Sequence, residues 1–265
     1  MRFGRGLSAL LSAVLLAGAL DTAHAVTMDK DGRLTVADFA VRQGENPAVA
    51  QKRFSATGIV TCGSTHSTAQ LTVRSDIITT AAHAFYAPSG QLRANPSSCV
   101  FVIELGSQTI EVPVLGETLR VGSNRPYDEP GVKDWAVVRL SKAVEGVTPY
   151  KLAATPSSLG DILLVANRHQ GWVHDGHRAV EACAIRNAVK TLSSAPRELA
   201  IDCSTGQGAS GSALMLPGAP GVMIGIYVGW RSAHPNMAGP YATNHLNYGL
   251  AIEGPFWAAI QDIAR

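Results

Sequence analysis

The sequence is poor in most of the features that mark a specialised chain. Charged residues make up only 16% of its 265 positions, and the two signs nearly cancel to a formal net charge of +2. That balance excludes the basic stripe of a nucleic-acid binder and the polybasic cluster of an anionic membrane contact. After residue 25 no apolar stretch is long enough to cross a bilayer. No internal repeat is legible, and nothing in the body is low in complexity. Only four cysteines occur, and no two are spaced closely enough to read as half of a zinc site. What is abundant is apolar content, 46%, enough for the core of one large or two small domains.

The first 25 residues stand apart. Arg2 and Arg5 make a positive start, Leu7–Leu20 is mostly apolar, and Ala23-His24-Ala25 is a small-x-small cleavage site. This is the pattern of a secretory signal peptide cut after Ala25, so the mature protein is expected outside the cytoplasm, extracellular or periplasmic, with no membrane attachment. In an oxidising compartment Cys62, Cys99, Cys183 and Cys203 should form two disulfides. Three pairings are possible. Cys62–Cys99 with Cys183–Cys203 is favoured, because each bridge then staples one half of the chain.

Residues 26–53 read as an N-terminal segment or possible propeptide, with Lys52-Arg53 as a candidate processing point. Asp29, Asp31 and Gly32 resemble part of an EF-hand loop. However, Thr27 stands where the first acidic ligand belongs, and Asp38 replaces the bidentate glutamate. Weak calcium binding near Asp29 and Asp31 is therefore a minor expectation beside a short helix with Thr35 and Asp38 at capping-box spacing. His169, His174 and His177 with Asp175 form a second metal-like cluster, but the stretch reads as a glycine-bearing loop, and no metal site is assigned.

From Phe54 short β-branched runs alternate with Gly, Pro, Ser and Asn punctuation. Strands are expected at 57–60, 70–73, 77–80, 100–105, 109–114 and 135–140. After a proline-bearing connector they resume at 162–166, 179–185, 198–202, 213–216, 222–228 and 248–252. Following Gly254-Pro255, residues Phe256, Ile260 and Ile263 fall at helical spacing, with proline suited to a first helical turn. The pattern predicts an all-β protein of two antiparallel barrels or sandwiches, residues 54–145 and 146–265, closed by a C-terminal helix.

Three stretches carry chemistry. Thr80-Ala-Ala-His83 ends a strand on a histidine. Asp134-Trp-Ala-Val-Val sets an acid before an apolar strand. Gly206-Gln-Gly-Ala-Ser210-Gly-Ser212 holds a serine among small residues. Serine needs a base to become a nucleophile, and histidine titrates in the range that allows it to take and return a proton. A carboxylate on the far ring nitrogen fixes the histidine tautomer. Glycines around the serine permit a turn in which backbone N–H groups converge on a developing oxyanion.

Together the three motifs, in the order His, Asp, Ser, resemble the signatures of chymotrypsin-like (trypsin-like) serine peptidases. The likeness runs from about Phe54 to the C-terminus. Ser204–Ser212 and Ile224-Gly-Ile-Tyr227 are similar to the bacterial branch that includes glutamyl endopeptidases. The resemblance implies two six-stranded Greek-key barrels with the site between them. It also implies a secreted serine endopeptidase with His83, Asp134 and Ser210 as triad and the amides of Gly208 and Ser210 as oxyanion hole. It implies no cofactor, a protein or peptide as partner, and a monomer.

The sequence departs from the family in several places. Ala209 replaces the acidic residue that pairs with a new N-terminus on activation, and Ala84 replaces the cysteine after the histidine. Ser204 stands where trypsins carry aspartate, and Tyr227 where glutamyl endopeptidases carry histidine. Ser204, Thr205, Tyr227 and Gly229 are the expected substrate-binding positions, with strand 225–229 offering backbone hydrogen bonds. Arg231 and His234 are expected in a solvent-exposed loop. The alternative is a non-catalytic binding or adhesin-like protein on the same scaffold.

Overall fold

A computed structural model describes residues 26–128, 131–156, 159–235 and 237–265. The signal-like stretch 1–25 lies outside the described residues.

The chain opens with β1 (Leu34–Thr35), α1 (Val36–Arg42) and α2 (Pro47–Arg53). Thr35 caps α1 by accepting the Asp38 N–H, and Asn46 caps α2, whose first residue is proline. Six strands then close the first barrel: β2 (Thr57–Cys62), β3 (Thr65–Leu71), β4 (Ile77–Thr80), β5 (Val100–Leu105), β6 (Gln108–Val121) and β7 (Ala136–Leu140). Closure comes from β2 pairing with β5, Ile59 opposite Val102, which removes the sheet edges. All four residues of β4 are buried, because β3 and β7 flank it and the barrel core lies beneath.

After the short β8 (Lys151–Leu152), a second six-strand barrel follows. It comprises β9 (Gly160–Ala166), β10 (Ala179–Val189), β11 (Glu198–Ile201), β12 (Ala213–Met215), β13 (Val222–Ser232) and β14 (His245–Ala251). Its order is β9-β10-β11-β14-β13-β12, closed where β12 pairs with β9. The protein is all-β with two antiparallel barrels, as the strand pattern predicts. Most strand positions agree with expectation, but β3 begins at Thr65 and ends at Leu71 where 70–73 was expected, because its polar Thr65-His-Ser-Thr start carries no apolar signal, and β6, β10 and β13 run further than their apolar cores. Outside those cores they alternate partly exposed positions that carry no continuous apolar signal.

Residues 26–53 are packed into this body. β1 adds to β10, and Met28 bridges to Gly239. Phe39 meets Phe54 edge-on, with ring centroids 6.0 Å apart. Val26 is fully buried. The C-terminal α3 (Gly254–Ala264) leaves the second barrel and lies on the first. Phe256 stacks on Trp135 at 5.1 Å, and the Arg139 guanidinium donates to the Ile263 carbonyl. Helix and barrels are thus tied across the chain halves. Each barrel holds one disulfide, Cys62–Cys99 and Cys183–Cys203. No helix among the described residues is long and apolar enough to cross a membrane.

Candidate active site

A cleft of about 750 Å³ separates the barrels and is lined by residues of both, including His83, Asp134, Gly208 and Ser210. His83 reaches it because β4 ends at Thr80 and the chain turns through a short 3-10 segment, Ala82–Ala84. Ala81, Ala82 and Ala84 are buried, so the turn sits flush on the barrel while the histidine projects. Asp134 follows another 3-10 turn, Gly131–Lys133, where its N–H closes on the Gly131 carbonyl. Its carboxylate accepts from both ends of His83, Oδ2 from ring Nδ1 at 2.6 Å and Oδ1 from the backbone N–H at 2.9 Å. The ion-pair partners are largely shielded from solvent. With Nδ1 committed to Asp134, the other ring nitrogen, Nε2, is the one left for chemistry in the cleft.

Ser210 comes from the second barrel, in the turn before β12, and is half-buried. Gly208 and Gly211 flank it with φ of +90° and +87°, the left-handed region that glycine tolerates. The Gln207 carbonyl accepts the Gln170 N–H at 2.9 Å. In a trans peptide the N–H points opposite to the carbonyl, so the Gly208 N–H faces away from Gln170. Among the described residues neither the Gly208 nor the Ser210 N–H has a protein acceptor. Two backbone donors are therefore open beside a serine hydroxyl.

The expected substrate-binding positions divide. Tyr227 and Gly229 line the cleft, whereas Ser204 and Thr205 are buried and do not. Thr205 Oγ1 lies 2.9 Å from the Tyr227 hydroxyl and donates to Asn247 Oδ1 at 3.0 Å. Ser204 Oγ accepts the Met28 N–H, and the Thr205 N–H donates to the Val26 carbonyl. The chain start thus backs the wall. Burial pushes the Tyr227 phenol up, so it stays protonated.

The part of β13 that borders the cleft lies further along the strand than expected. Residues 225–226 already pair with both β12 and β14, and the Gly211 N–H takes the Tyr227 carbonyl. Beyond it Val228 bulges, Gly229 and Trp230 pair with β14, and all three line the cleft. Arg231 is not free either, for it pairs with Glu198 and lies 4.3 Å from the Tyr248 ring centre. His234 is exposed in a turn.

Several site residues had no local signal. Arg93 Nε donates to the His83 carbonyl at 2.9 Å and its Nη2 to the Tyr127 hydroxyl at 2.9 Å, while the Tyr127 ring lies 5.8 Å from the imidazole. Tyr248 fills the space between Gly131 and Gly229, where a Cβ on either glycine would strike its ring or hydroxyl. Arg168 lies along Gly208. All four come from loops or strands whose sequence reads as ordinary surface or core.

The histidine cluster does not converge on a common point. His169 is fully buried with neither ring nitrogen partnered, and burial pushes it down to about 3, so it is neutral. His174 and His177 are exposed. No group of three or more potential metal ligands occurs among the described residues. Asp31 is taken by Arg33 through both carboxylate oxygens.

Paired barrels, with an Asp-supported histidine and a serine lining the cleft between them, make a chymotrypsin-like serine peptidase fold. The sequence matches no family model and no curated protein. Solved structures do match. A Glu endopeptidase is 16% identical with a TM-score of 0.61, over 91% of this chain and 100% of that one. The Rv3671c protein of Mycobacterium tuberculosis, in an inactive form, is 16% identical at 0.52, over 83% and 91%. The thermostable serine protease AL20 from an extremophilic microorganism is 15% identical at 0.51, over 78% and 94%. At such identity the likeness establishes the fold.

Proposed function

We propose that the protein is a secreted serine endopeptidase working through an acyl-enzyme. The observation that carries this reading is the cleft itself. A carboxylate-supported imidazole and an unpartnered serine hydroxyl line it together, with two unengaged N–H donors beside the serine. In the proposed reaction His83 Nε2 removes the Ser210 proton as Oγ attacks the peptide carbonyl, and the Gly208 and Ser210 N–H groups hold the oxyanion. The imidazolium, stabilised by Asp134, then protonates the leaving amine. Water repeats the sequence on the acyl-enzyme and releases Ser210. The Val228–Trp230 edge supports binding of the acyl side of the substrate as an added antiparallel strand. All bonds are made and broken by side chains and water, so no cofactor enters. Two disulfides fit an oxidising compartment, in keeping with export by the stretch 1–25.

The test is reaction with a fluorophosphonate probe, located by mass spectrometry, with Ser210→Ala as control. Adduct at Ser210 alone is expected. Folded, signal-cleaved protein that never reacts would overturn the reading in favour of a binding protein on this scaffold.

A further inference from the structure

Arginines in this chain are almost all spoken for. Among the described residues they bond carboxylates, as Arg74 does Asp76 and Arg197 does Glu253, or carbonyls, as Arg139 and Arg178 do. Arg42 and Arg168 have no such partner. Arg42 is simply exposed in the last turn of α1. Arg168 is different, because it is half-buried and lines the active-site cleft. Its stem lies on Gly208, where an added Cβ would come within 2.9 Å of Arg168 Cδ. Both barrels hold the backbone on either side of it. The Asn167 N–H bonds Thr68 Oγ1, and the Gln170 N–H bonds the Gln207 carbonyl. A long side chain fixed at its base in a cleft, with an unpaired guanidinium, is a poor way to use a cation unless an anion arrives.

The local charge points the same way. The one described carboxylate lining the cleft, Asp134, is consumed by His83. Arg93 serves His83 and Tyr127, and His66 Nδ1 lies 3.0 Å from Thr61 Oγ1. Position selects the part of the substrate. The acyl side lies along Val228–Trp230, beside Tyr248 and Gly131. Arg168 lies instead against Gly208, whose carbonyl Thr68 of β3 holds, and a Cβ on Gly229 would meet Tyr248 and not Arg168. A peptide crossing the oxyanion donors from the strand edge passes there with its leaving-group residues.

We propose that Arg168 is a specificity residue that binds a carboxylate on the leaving-group side of the scissile bond, giving a preference for peptides acidic there. The inference rests on the peptidase reading above. The carboxylate could be an Asp or Glu side chain or a nearby chain terminus, and both present the same planar pair of oxygens to the guanidinium.

Internally quenched peptides that differ only at the first or second residue after the cut, Asp against Asn, with amidated ends, test the side-chain source. A neutral peptide ending in a free or amidated carboxyl at the second residue tests the terminus. The quantity read is the ratio of kcat/KM, charged over neutral, within each protein, so a loss common to both substrates cancels. Wild type should favour one charged form roughly tenfold, about 1.4 kcal/mol. Arg168→Gln should bring the ratio to about one, and Arg168→Glu should invert it. Raising ionic strength from about 0.1 to 1 M shortens screening from about 10 to 3 Å and should shrink the wild-type ratio, a readout that needs no variant. A flat ratio in wild type, or one that survives Arg168→Gln or high salt, overturns the proposal. Ser210 labelling run alongside separates the failures. Labelled protein that cleaves neutral peptides with a flat ratio refutes Arg168 alone, whereas unlabelled protein refutes the peptidase reading and this inference with it.

Discussion

Replacing Asp134 by Asn changes one oxygen to an NH₂ and keeps the shape, so the two hydrogen bonds it makes decide the outcome. Asp134 accepts twice, from the His83 backbone N–H at 2.9 Å and from ring Nδ1 at 2.6 Å. An asparagine has one accepting oxygen. If its NH₂ faced the His83 backbone N–H, two donors would meet with no proton to remove. The backbone cannot change its protonation, but the imidazole can change tautomer. The amide oxygen therefore takes the backbone N–H, and the NH₂ turns to the ring. Nδ1 then becomes an acceptor and the ring proton moves to Nε2, where it faces the cleft. A base that already carries its proton cannot take another from Ser210. The same substitution in the type enzyme of this mechanism costs about 10⁴ in kcat, and the geometry here gives no escape from that size of loss. The assay is the second-order rate of fluorophosphonate labelling of Ser210, which needs no knowledge of the natural substrate. Circular dichroism confirms that the variant is folded. A labelling rate within about tenfold of wild type at neutral pH would show that Asp134 does not set the tautomer, since tenfold is only about 1.4 kcal/mol of barrier.

Two further outcomes follow from the structure. Gly211→Ala places a Cβ 2.1 Å from the Thr68 carbonyl oxygen and 2.4 Å from Thr80 Oγ1, at a φ of +87°. The backbone term alone is on the order of 1–3 kcal/mol, so both Tm and Ser210 labelling should fall, and an unchanged Tm would contradict the inter-barrel contact. Glu181 is pushed up to about 8 by burial, with Asp31 adding to the effect, against an unfolded value near 4.5, although it accepts the Gly32 and Ser204 N–H groups. The folded chain keeps a proton that the unfolded chain releases, so this group's stabilisation is complete below about pH 4.5 and is lost as pH rises through about 8. The Tm difference between wild type and Glu181→Gln should drift in favour of the variant across that window, and a pH-independent difference would count against a buried, protonated Glu181.

Much of the fold was legible because strand signals are local. Val100–Leu105 and Ile77–Thr80 begin and end where β-branched runs meet turn residues. The C-terminal helix was legible because Phe256, Ile260 and Ile263 all bury on one face. The motifs around His83, Asp134 and Ser210 stand out in the sequence, and the fold brings all three to one cleft. The remainder of the site has no local sign. Arg168 is a cation after an apolar strand, and only its lack of a partner in space marks it out. Tyr248 reads as a strand residue, and its place between Gly131 and Gly229 depends on how the barrels face each other. Residues 26–53 read as an N-terminal segment or possible propeptide, and their polar composition gives no sign of where they pack. Yet Val36, Phe39 and Ala40 bury one face of α1, and Val26 is fully buried where its carbonyl takes the Thr205 N–H and the Asn247 side chain.

How two barrels hold a site that neither contains is answered largely by one residue, Thr68 on β3. It is fully buried. Its N–H and its Oγ1 both donate to the Gly208 carbonyl at 2.9 Å, its own carbonyl accepts from Thr80 Oγ1 at 2.7 Å, and its Oγ1 accepts the Asn167 N–H at 3.2 Å. Thr80 leads into the turn that carries His83, and Gly208 leads into the turn that carries Ser210. A first-barrel residue therefore fixes the 208–209 peptide, which joins the two second-barrel donor residues, and it reaches toward the histidine through a single further hydrogen bond. These bonds are short, buried and mostly to backbone, so they cannot swing as long side chains do. The absence of a Cβ at Gly211 lets the barrels approach closely enough to make them. Placing two reacting groups from different domains demands an interface with little slack, since an ångström of misplacement is costly to a reaction that depends on alignment. In this chain that demand falls on small residues, Thr68, Thr80, Gly208 and Gly211, which accounts for the glycine, alanine and threonine around the His83 and Ser210 motifs.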